Sequence, residues 1–235
     1  AKLKAIVNIT TDKCYENDER SQGYKENDPM GGHDPYSSSK GCSELVTSAY
    51  RRSFLQEQGV GLASARAGNV IGGGDWADDR LIPDILRSFE KNESVVVRNP
   101  KATRPWQHVL EPLSGYLVLI QKLYEDQKEY AEGWNFGPNE KDVKAVDWIL
   151  DKMIFKWPGA SWKLDQNSSP HEAGFLKLDI TKAESKLGWK PVWELSYTLE
   201  KIIAWQKAWL NKEDIQAVCL TEIEEYTKDM NNENH

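Results

Sequence analysis

Apolar positions in this 235-residue chain follow two patterns. Some form short unbroken runs. Lys4-Ala5-Ile6-Val7-Asn8-Ile9 and Val60–Arg66 read as buried strands, and Ser94–Arg98 and Trp134-Asn135-Phe136-Gly137 add two shorter ones. Others recur at helical spacing. Across Pro112–Tyr124, residues Leu113, Tyr116, Leu117 and Ile120 share one face. Leu81–Leu86 opens a helix, and Val146–Trp157 and Leu195–Leu210 are further helices. Asp179 can cap another that stops at Leu187-Gly188-Trp189, where glycine takes the left-handed turn that ends a helix. Helices alternating with short strands predict an α/β fold. The polar stretch Glu16–Asp34 reads as an active-site loop rather than a linker, because a helix opens at its end. Beyond Asn211 the apolar pattern fades, and 216–235 is expected to be an acidic tail.

The helix after that polar loop carries the chemistry. Asp34 can cap it, Pro35 suits its first position, and Gly41 to Tyr50 continues it. Tyr36 and Lys40 then lie on one face. An ammonium beside a phenol stabilises the phenolate, lowering its pKa below about 10 and making it a usable base. Tyr-x-x-x-Lys also occurs by chance on helix surfaces, so its weight comes from Thr10-Thr11-Asp12-Lys13 upstream. Read alone, Asp12-Lys13 is a turn with an exposed ion pair.

Charge narrows the function. A net charge of −7 argues against nucleic acid as the main partner. No apolar run is long enough to span a bilayer, and the start shows no signal-peptide pattern, so a cytoplasmic location is expected. The cysteines Cys14, Cys42 and Cys219 fit a reduced compartment. The histidines His33, His108, His171 and His235 form no close pair, so no metal site is expected. The ten tryptophans, among them Trp205 and Trp209 at helical spacing, are expected in cores or interfaces. The glycine-rich loop Gly68-Asn69-Val70-Ile71-Gly72-Gly73-Gly74-Asp75-Trp76 follows the Tyr/Lys helix, the wrong place for a dinucleotide pyrophosphate loop. No Gly-x-Gly-x-x-Gly lies between a strand and a helix near the start.

Five ordered segments together resemble the extended short-chain dehydrogenase/reductase family. They are Asn8-Ile9-Thr10-Thr11-Asp12-Lys13-Cys14-Tyr15, Gly31 through Lys40, Ala65 through Trp76, Arg98-Asn99-Pro100 with Arg104-Pro105-Trp106-Gln107-His108-Val109, and Trp134-Asn135-Phe136-Gly137-Pro138. Within the family the chain is similar to the nucleotide-sugar 4,6-dehydratases. Lys13, where TDP-sugar relatives carry Glu, points to the branch acting on CDP-glucose. The match runs to about Asp214 and starts at what would be the family's fifth strand. The resemblance therefore implies the carboxyl-terminal part of a Rossmann-type doubly wound parallel sheet plus a smaller mixed α/β substrate-binding domain. Residues 1–70 would be the remainder of the cofactor domain, with 112–137 returning to it, and 71–215 would mainly bind nucleotide sugar.

The resemblance also implies roles. The cofactor would be NAD, with Tyr36, Lys40 and Ala67 beside its nicotinamide ribose. The missing glycine-rich half leads to the expectation that this chain alone does not retain it. Tyr36 would take the 4-hydroxyl proton, Lys40 hold the phenolate and Thr11 bond the 4-oxygen. Asp12 would be the acid and Lys13 the base of a water elimination across C5–C6. Asn69, Arg80 and Arg104 would hold sugar and diphosphate, and Asn135 and His171 would line the nucleotide pocket. Four of these have a plainer reading: Arg80 and Arg104 as surface arginines, Asn69 as a turn residue, His171 as a satisfied loop histidine. A homodimer is the family's usual assembly. Two other functions stay open, a related epimerase or decarboxylase and a non-catalytic nucleotide-sugar-binding fragment.

Overall fold

The computed structural model describes residues 3–165 and 175–233. In chain order the elements are β1 Ala5–Ile9, α1 Pro35–Tyr50, β2 Gly61–Ala67, β3 Asn69–Ile71, α2 Leu81–Glu90, β4 Val95–Val97, β5 Thr103–His108, α3 Leu110–Glu125, β6 Gly133–Phe136, β7 Val143–Ala145, α4 Val146–Lys156, β8 Trp162–Leu164, α5 Leu195–Leu210 and α6 Ile215–Glu233. They fall into two units. The first takes residues 1–69, 111–137 and 175–191, and the second takes 70–110, 138–174 and 192–235. Residues 111–137 rejoin the first unit after the chain has entered the second. The return of 175–191 was not foreseen.

The first unit is built on a parallel sheet of order β1-β2-β6. Ala5 pairs with Gly61 and Ile9 with Ala65, while Ser64 pairs with Gly133 and Ala67 with Phe136. Every residue of β2 is buried, and its two faces have different chemistry because successive side chains alternate. Ala63 and Ala65 join Leu119 and Leu123 of α3, Trp134 and Phe136 of β6, and Leu187 and Trp189 in one apolar cluster. Helix α3 comes so near that a Cβ on Gly115 would stand 2.3 Å from the Phe136 ring. Asp179 accepts from the Thr181 N–H at 2.9 Å, and Gly188 (φ +69°) closes the helical turn Ala183–Leu187, as the sequence predicts. A smaller cluster joins Cys14, Tyr15 and Tyr24 to Leu176 and Leu178.

On the other face of the sheet lies α1, which grips it in an unusual way. Its buried positions are Ser37, Gly41, Glu44 and Thr47, a small and polar stripe at helical spacing. Its apolar side chains Leu45, Val46 and Tyr50 are more than half exposed, at 63%, 55% and 55%. The docking is by hydrogen bond: Asn8 of β1 donates to Thr47 Oγ1 at 2.7 Å and to Ser43 Oγ at 3.4 Å.

The second unit is packed by apolar burial. Ile82, Ile85, Leu86 and Phe89 of α2, Ile149, Leu150 and Met153 of α4, and Leu195, Leu199, Ile202 and Ile203 of α5 share one core with Val95, Val97 and Trp106. Strands β3, β5 and β7 form one small sheet, with β5 antiparallel to β7, and β4 pairs in parallel with β8. The expected acidic tail is instead mostly helix α6. Trp193 donates to Asp229 at 2.9 Å and packs on Tyr226, and Lys201 and Tyr197 bond Glu225. Its polar sequence hides the few positions that dock. Among the described residues no helix is long and apolar enough to cross a membrane, and no cluster of side chains could hold a metal ion.

Candidate active site

Two elements of the first unit carry the candidate residues. The carboxyl end of β1 runs into Thr10 and Thr11 and then a tight 3-10 turn, Asp12–Cys14. Thr11 caps this turn: its hydroxyl accepts from the Lys13 N–H at 3.4 Å and donates to Asp12 Oδ1 at 2.9 Å. Asp12 is buried and Lys13 half-buried. The turn packs against α1 where Gly41 leaves room, since a Cβ there would meet Gly31 O at 3.3 Å and Cys14 O at 3.5 Å. Burial pushes the Cys14 thiol up to about 12, which keeps it inert.

Asp34 caps α1 as predicted, accepting from the Ser37 N–H at 3.0 Å and the Ser37 hydroxyl at 2.6 Å. Those bonds hold its carboxyl below the ordinary range, with the nearby Lys13 ammonium adding to the effect. Tyr36 is 53% exposed, and the Lys40 ammonium lies 5.5 Å from its ring centroid. The structure thus brings Tyr36 and Lys40 together on one face of a capped helix, with the Thr11-Asp12-Lys13 turn packed on the same helix.

One turn beyond Lys40 lies a set of residues the sequence reading missed. Glu44 is buried and takes a forked pair from Arg66 of β2, Nε to Oε1 and Nη2 to Oε2, both at 2.9 Å. Ser64 donates to Oε2 at 2.6 Å, and the Thr10 hydroxyl also donates to this carboxylate. Arg66 Nη1 donates to the Tyr15 hydroxyl at 2.7 Å and to the Glu26 carbonyl at 3.0 Å. Burial disfavours the Glu44 anion, but the Arg66 hydrogen bonds and charge overcome it, so the carboxyl lies below its ordinary value. Two signals could have found this set. Glu44 follows Lys40 at the same four-residue interval, and a lone arginine in a buried strand requires a partner.

Asn135 lies in the interior of the first unit. It is fully buried, its amide nitrogen donates to the Tyr24 and Asp179 carbonyls at 2.8 and 3.2 Å, and its oxygen accepts from the Tyr15 hydroxyl at 2.7 Å. Both amide protons are used, and the side chain ties the backbone at Tyr24 and Asp179 to the Tyr15 hydroxyl. Ala67 ends β2, buried, and Asn69 begins β3, half-buried. Arg80 stands exposed at the amino end of α2, and Arg104 is half-buried on β5, donating to the Thr103 carbonyl at 2.9 Å. These two arginines belong to the second unit. His171 lies outside the described residues.

This is the Rossmann-type α/β fold of NAD-dependent sugar-nucleotide dehydratases and epimerases. A Bacillus anthracis dTDP-glucose 4,6-dehydratase in complex with NAD matches with a TM-score of 0.70 at 18% identity, over 86% of this chain and 61% of that one. A Bacillus cereus UDP-glucuronic acid 4-epimerase in complex with UDP-glucuronic acid and NAD matches at 0.73 and 19% identity, over 88% and 62%. The GDP-mannose 4,6 dehydratase family model covers residues 2–202, and the chain belongs to that family. A CDP-glucose 4,6-dehydratase of Salmonella typhimurium is 59% identical over 230 residues, 95% of this chain and 64% of that protein. A probable dTDP-glucose 4,6-dehydratase of Sinorhizobium fredii is 24% identical, over 85% of this chain and 56% of that protein. The chain therefore spans less than two thirds of the length of these relatives.

Proposed function

We propose that the whole protein is a nucleotide-sugar 4,6-dehydratase that converts CDP-glucose to CDP-4-keto-6-deoxyglucose. The observation that carries this reading is the packing of the Thr11-Asp12-Lys13 turn on the helix that bears Tyr36 and Lys40. It places a phenol, an ammonium, a buried carboxyl and a second ammonium on two adjoining elements. The 59% identity to a CDP-glucose 4,6-dehydratase supports the choice of nucleotide.

The residues present fit NAD at its nicotinamide end. Tyr36 is about half exposed, with the Lys40 ammonium beside its ring. Tyr36 and Lys40 would hold the ribose, and the buried end of β2 at Ala67 would pass the nicotinamide. NAD supplies the hydride acceptor for C4 of the sugar and returns that hydride at C6. Tyr36 takes the 4-hydroxyl proton as the C4–H bond breaks, with Lys40 stabilising the phenolate. Thr11 holds the 4-oxygen. Lys13 removes the C5 proton, which the new ketone acidifies, and Asp12 protonates the departing 6-hydroxyl so that water leaves. A proton returns to C5 when C6 receives the hydride, leaving a net loss of one water. Asn69, Arg80 and Arg104 hold the sugar and diphosphate, the arginines through paired charge-assisted bonds. His171 is kept as a nucleotide-side candidate.

A cytoplasmic location accords with three free cysteines. A homodimer through α1 is supported by the exposure of Leu45, Val46, Tyr50 and Phe54.

The test is product analysis on the whole protein with CDP-glucose. A product lighter by one water supports the dehydratase. A product of unchanged mass marks an epimerase, and loss of carbon dioxide from a uronic acid marks a decarboxylase. Asp12→Asn should slow water loss on the order of 10²–10⁴-fold while C4 oxidation continues, because an amide cannot donate the acid proton. Equal slowing of both half-reactions would leave Asp12 without the acid role.

A further inference from the structure

The buried stripe of α1 contains no large apolar side chain, so apart from the close approach at Gly41 nothing non-directional fixes how far the helix slides along the sheet. Its position depends on a few polar contacts. Asn8 holds the carboxyl-terminal half at Thr47. Glu44 holds the middle, and it reaches both strands: Thr10 at the end of β1, and Ser64 and Arg66 of β2. Thr10 immediately precedes Thr11, and Glu44 lies one turn from Lys40 and two from Tyr36. A single carboxylate therefore joins the helix that carries the phenol and ammonium to the strand end that carries Thr11, Asp12 and Lys13. The Glu44 and Arg66 side chains are each 3% exposed, and four donors converge on the carboxylate, so it has one geometry available.

We propose that Glu44, held by Arg66, is a positioning residue that sets Tyr36 and Lys40 at working distance from the Thr11-Asp12-Lys13 turn. This rests on the dehydratase reading above for the identity of the reaction, while the geometry it concerns exists without substrate. Ion pairs of this kind often give no stability advantage over an apolar pair of similar volume. A role in placing reactive groups accounts for keeping one here. Displacing such groups by about 1 Å is enough to lose on the order of 10²-fold in rate.

The experiment uses the whole protein with Thr10→Val, Thr10→Ser and the double variant Glu44→Leu/Arg66→Met. Thr10→Val keeps the shape and removes one bond to the carboxylate, and Thr10→Ser restores the hydroxyl. The double variant replaces the buried pair by apolar volume. Measured are kcat and KM for CDP-glucose, the melting temperature, and backbone amide shifts without substrate. The expected result is a kcat lowered about tenfold in Thr10→Val and on the order of 10²-fold in the double variant. KM should stay close to wild type, as should the melting temperature of the Thr10 variants, and Thr10→Ser should recover kcat. Amide signals of Thr11, Asp12, Tyr36 and Lys40 should shift in Thr10→Val and in the double variant. Wild-type kcat with unmoved amides in Thr10→Val overturns the proposal, as does a Thr10→Ser protein no better than Thr10→Val. If the double variant fails to fold, the two Thr10 variants decide. If the wild-type protein releases no dehydrated product, the functional reading fails, and the amide shifts alone judge the positioning.

Discussion

Helix α1 of the first unit buries Ser37, Gly41, Glu44 and Thr47, whereas helix α2 of the second buries Ile82, Pro83, Ile85, Leu86 and Phe89. The two helices hold on to their units by different physics. Apolar burial under α2 is strong and non-directional, worth about 1.5–3 kcal/mol for each large side chain. It tolerates small shifts. The bonds under α1 contribute about 0.5–1.5 kcal/mol net where both partners are neutral and about 1.5–3 where they reach the Glu44 carboxylate, but fail once donor and acceptor move apart. Tyr36, proposed as the base, sits on the helix held by directional contacts. The difference teaches that the first unit is organised for placement and the second for cohesion.

Breaking the pair under α1 should give the largest effect. Arg66→Met leaves the Glu44 carboxylate buried without its cation, and should destabilise by about 3–5 kcal/mol at neutral pH in urea denaturation. The pH dependence should also change sign. In the wild type Glu44 lies below its ordinary value, so its contribution is present above the unfolded pKa and is lost as pH falls through the lower folded one. In Arg66→Met the carboxyl, now desolvated and unpaired, moves up, so the variant should regain stability as pH falls through that raised value. An equal deficit at pH 7 and pH 5 would show that the pair carries no such linkage.

Ile85→Ala, in the core under α2, should cost slightly less, about 3 kcal/mol. Its deficit should be the same at both pH values because no charge is involved. A pH-dependent deficit would remove the contrast between the units. The smallest stability effect is expected on the outer face of α1. Leu45→Glu should change folding stability by no more than about 0.5 kcal/mol, since Leu45 is already exposed. It should nonetheless weaken self-association of the whole protein in sedimentation, and unchanged association would place the dimer contact elsewhere.

Much of this was legible in the sequence, and the exceptions share a cause. Helices α2, α4 and α5 announce themselves by apolar spacing, and α1 by its cap at Asp34 and Pro35. Helix α6 escaped because its docking side chains are Glu225, Tyr226 and Asp229, which in sequence look like any solvated face. Strands β7 and β8 are three residues each, too short for an alternation to show. The return of 175–191 to the first unit depends on Leu176 and Leu178 meeting Cys14, Tyr15 and Tyr24, contacts made across a long stretch of chain. At the candidate site, Thr11-Asp12-Lys13 came from the resemblance, and the Tyr36 and Lys40 pair was readable as local spacing. Glu44 with Arg66 and the interior role of Asn135 were not, because their partners come from other elements.

Strand β1 has a consequence for the order in which its neighbours form. It pairs in parallel with β2, Ala5 with Gly61 and Ile9 with Ala65, and the whole of α1 lies between the two strands in the chain. Parallel partners cannot be closed by a short hairpin, so the entropy of closing that long loop is spent before the first ladder bond forms. Helix α1 needs only local contacts and its own cap at Asp34. Amide protection during refolding should therefore rise in α1 before it rises in β1 and β2.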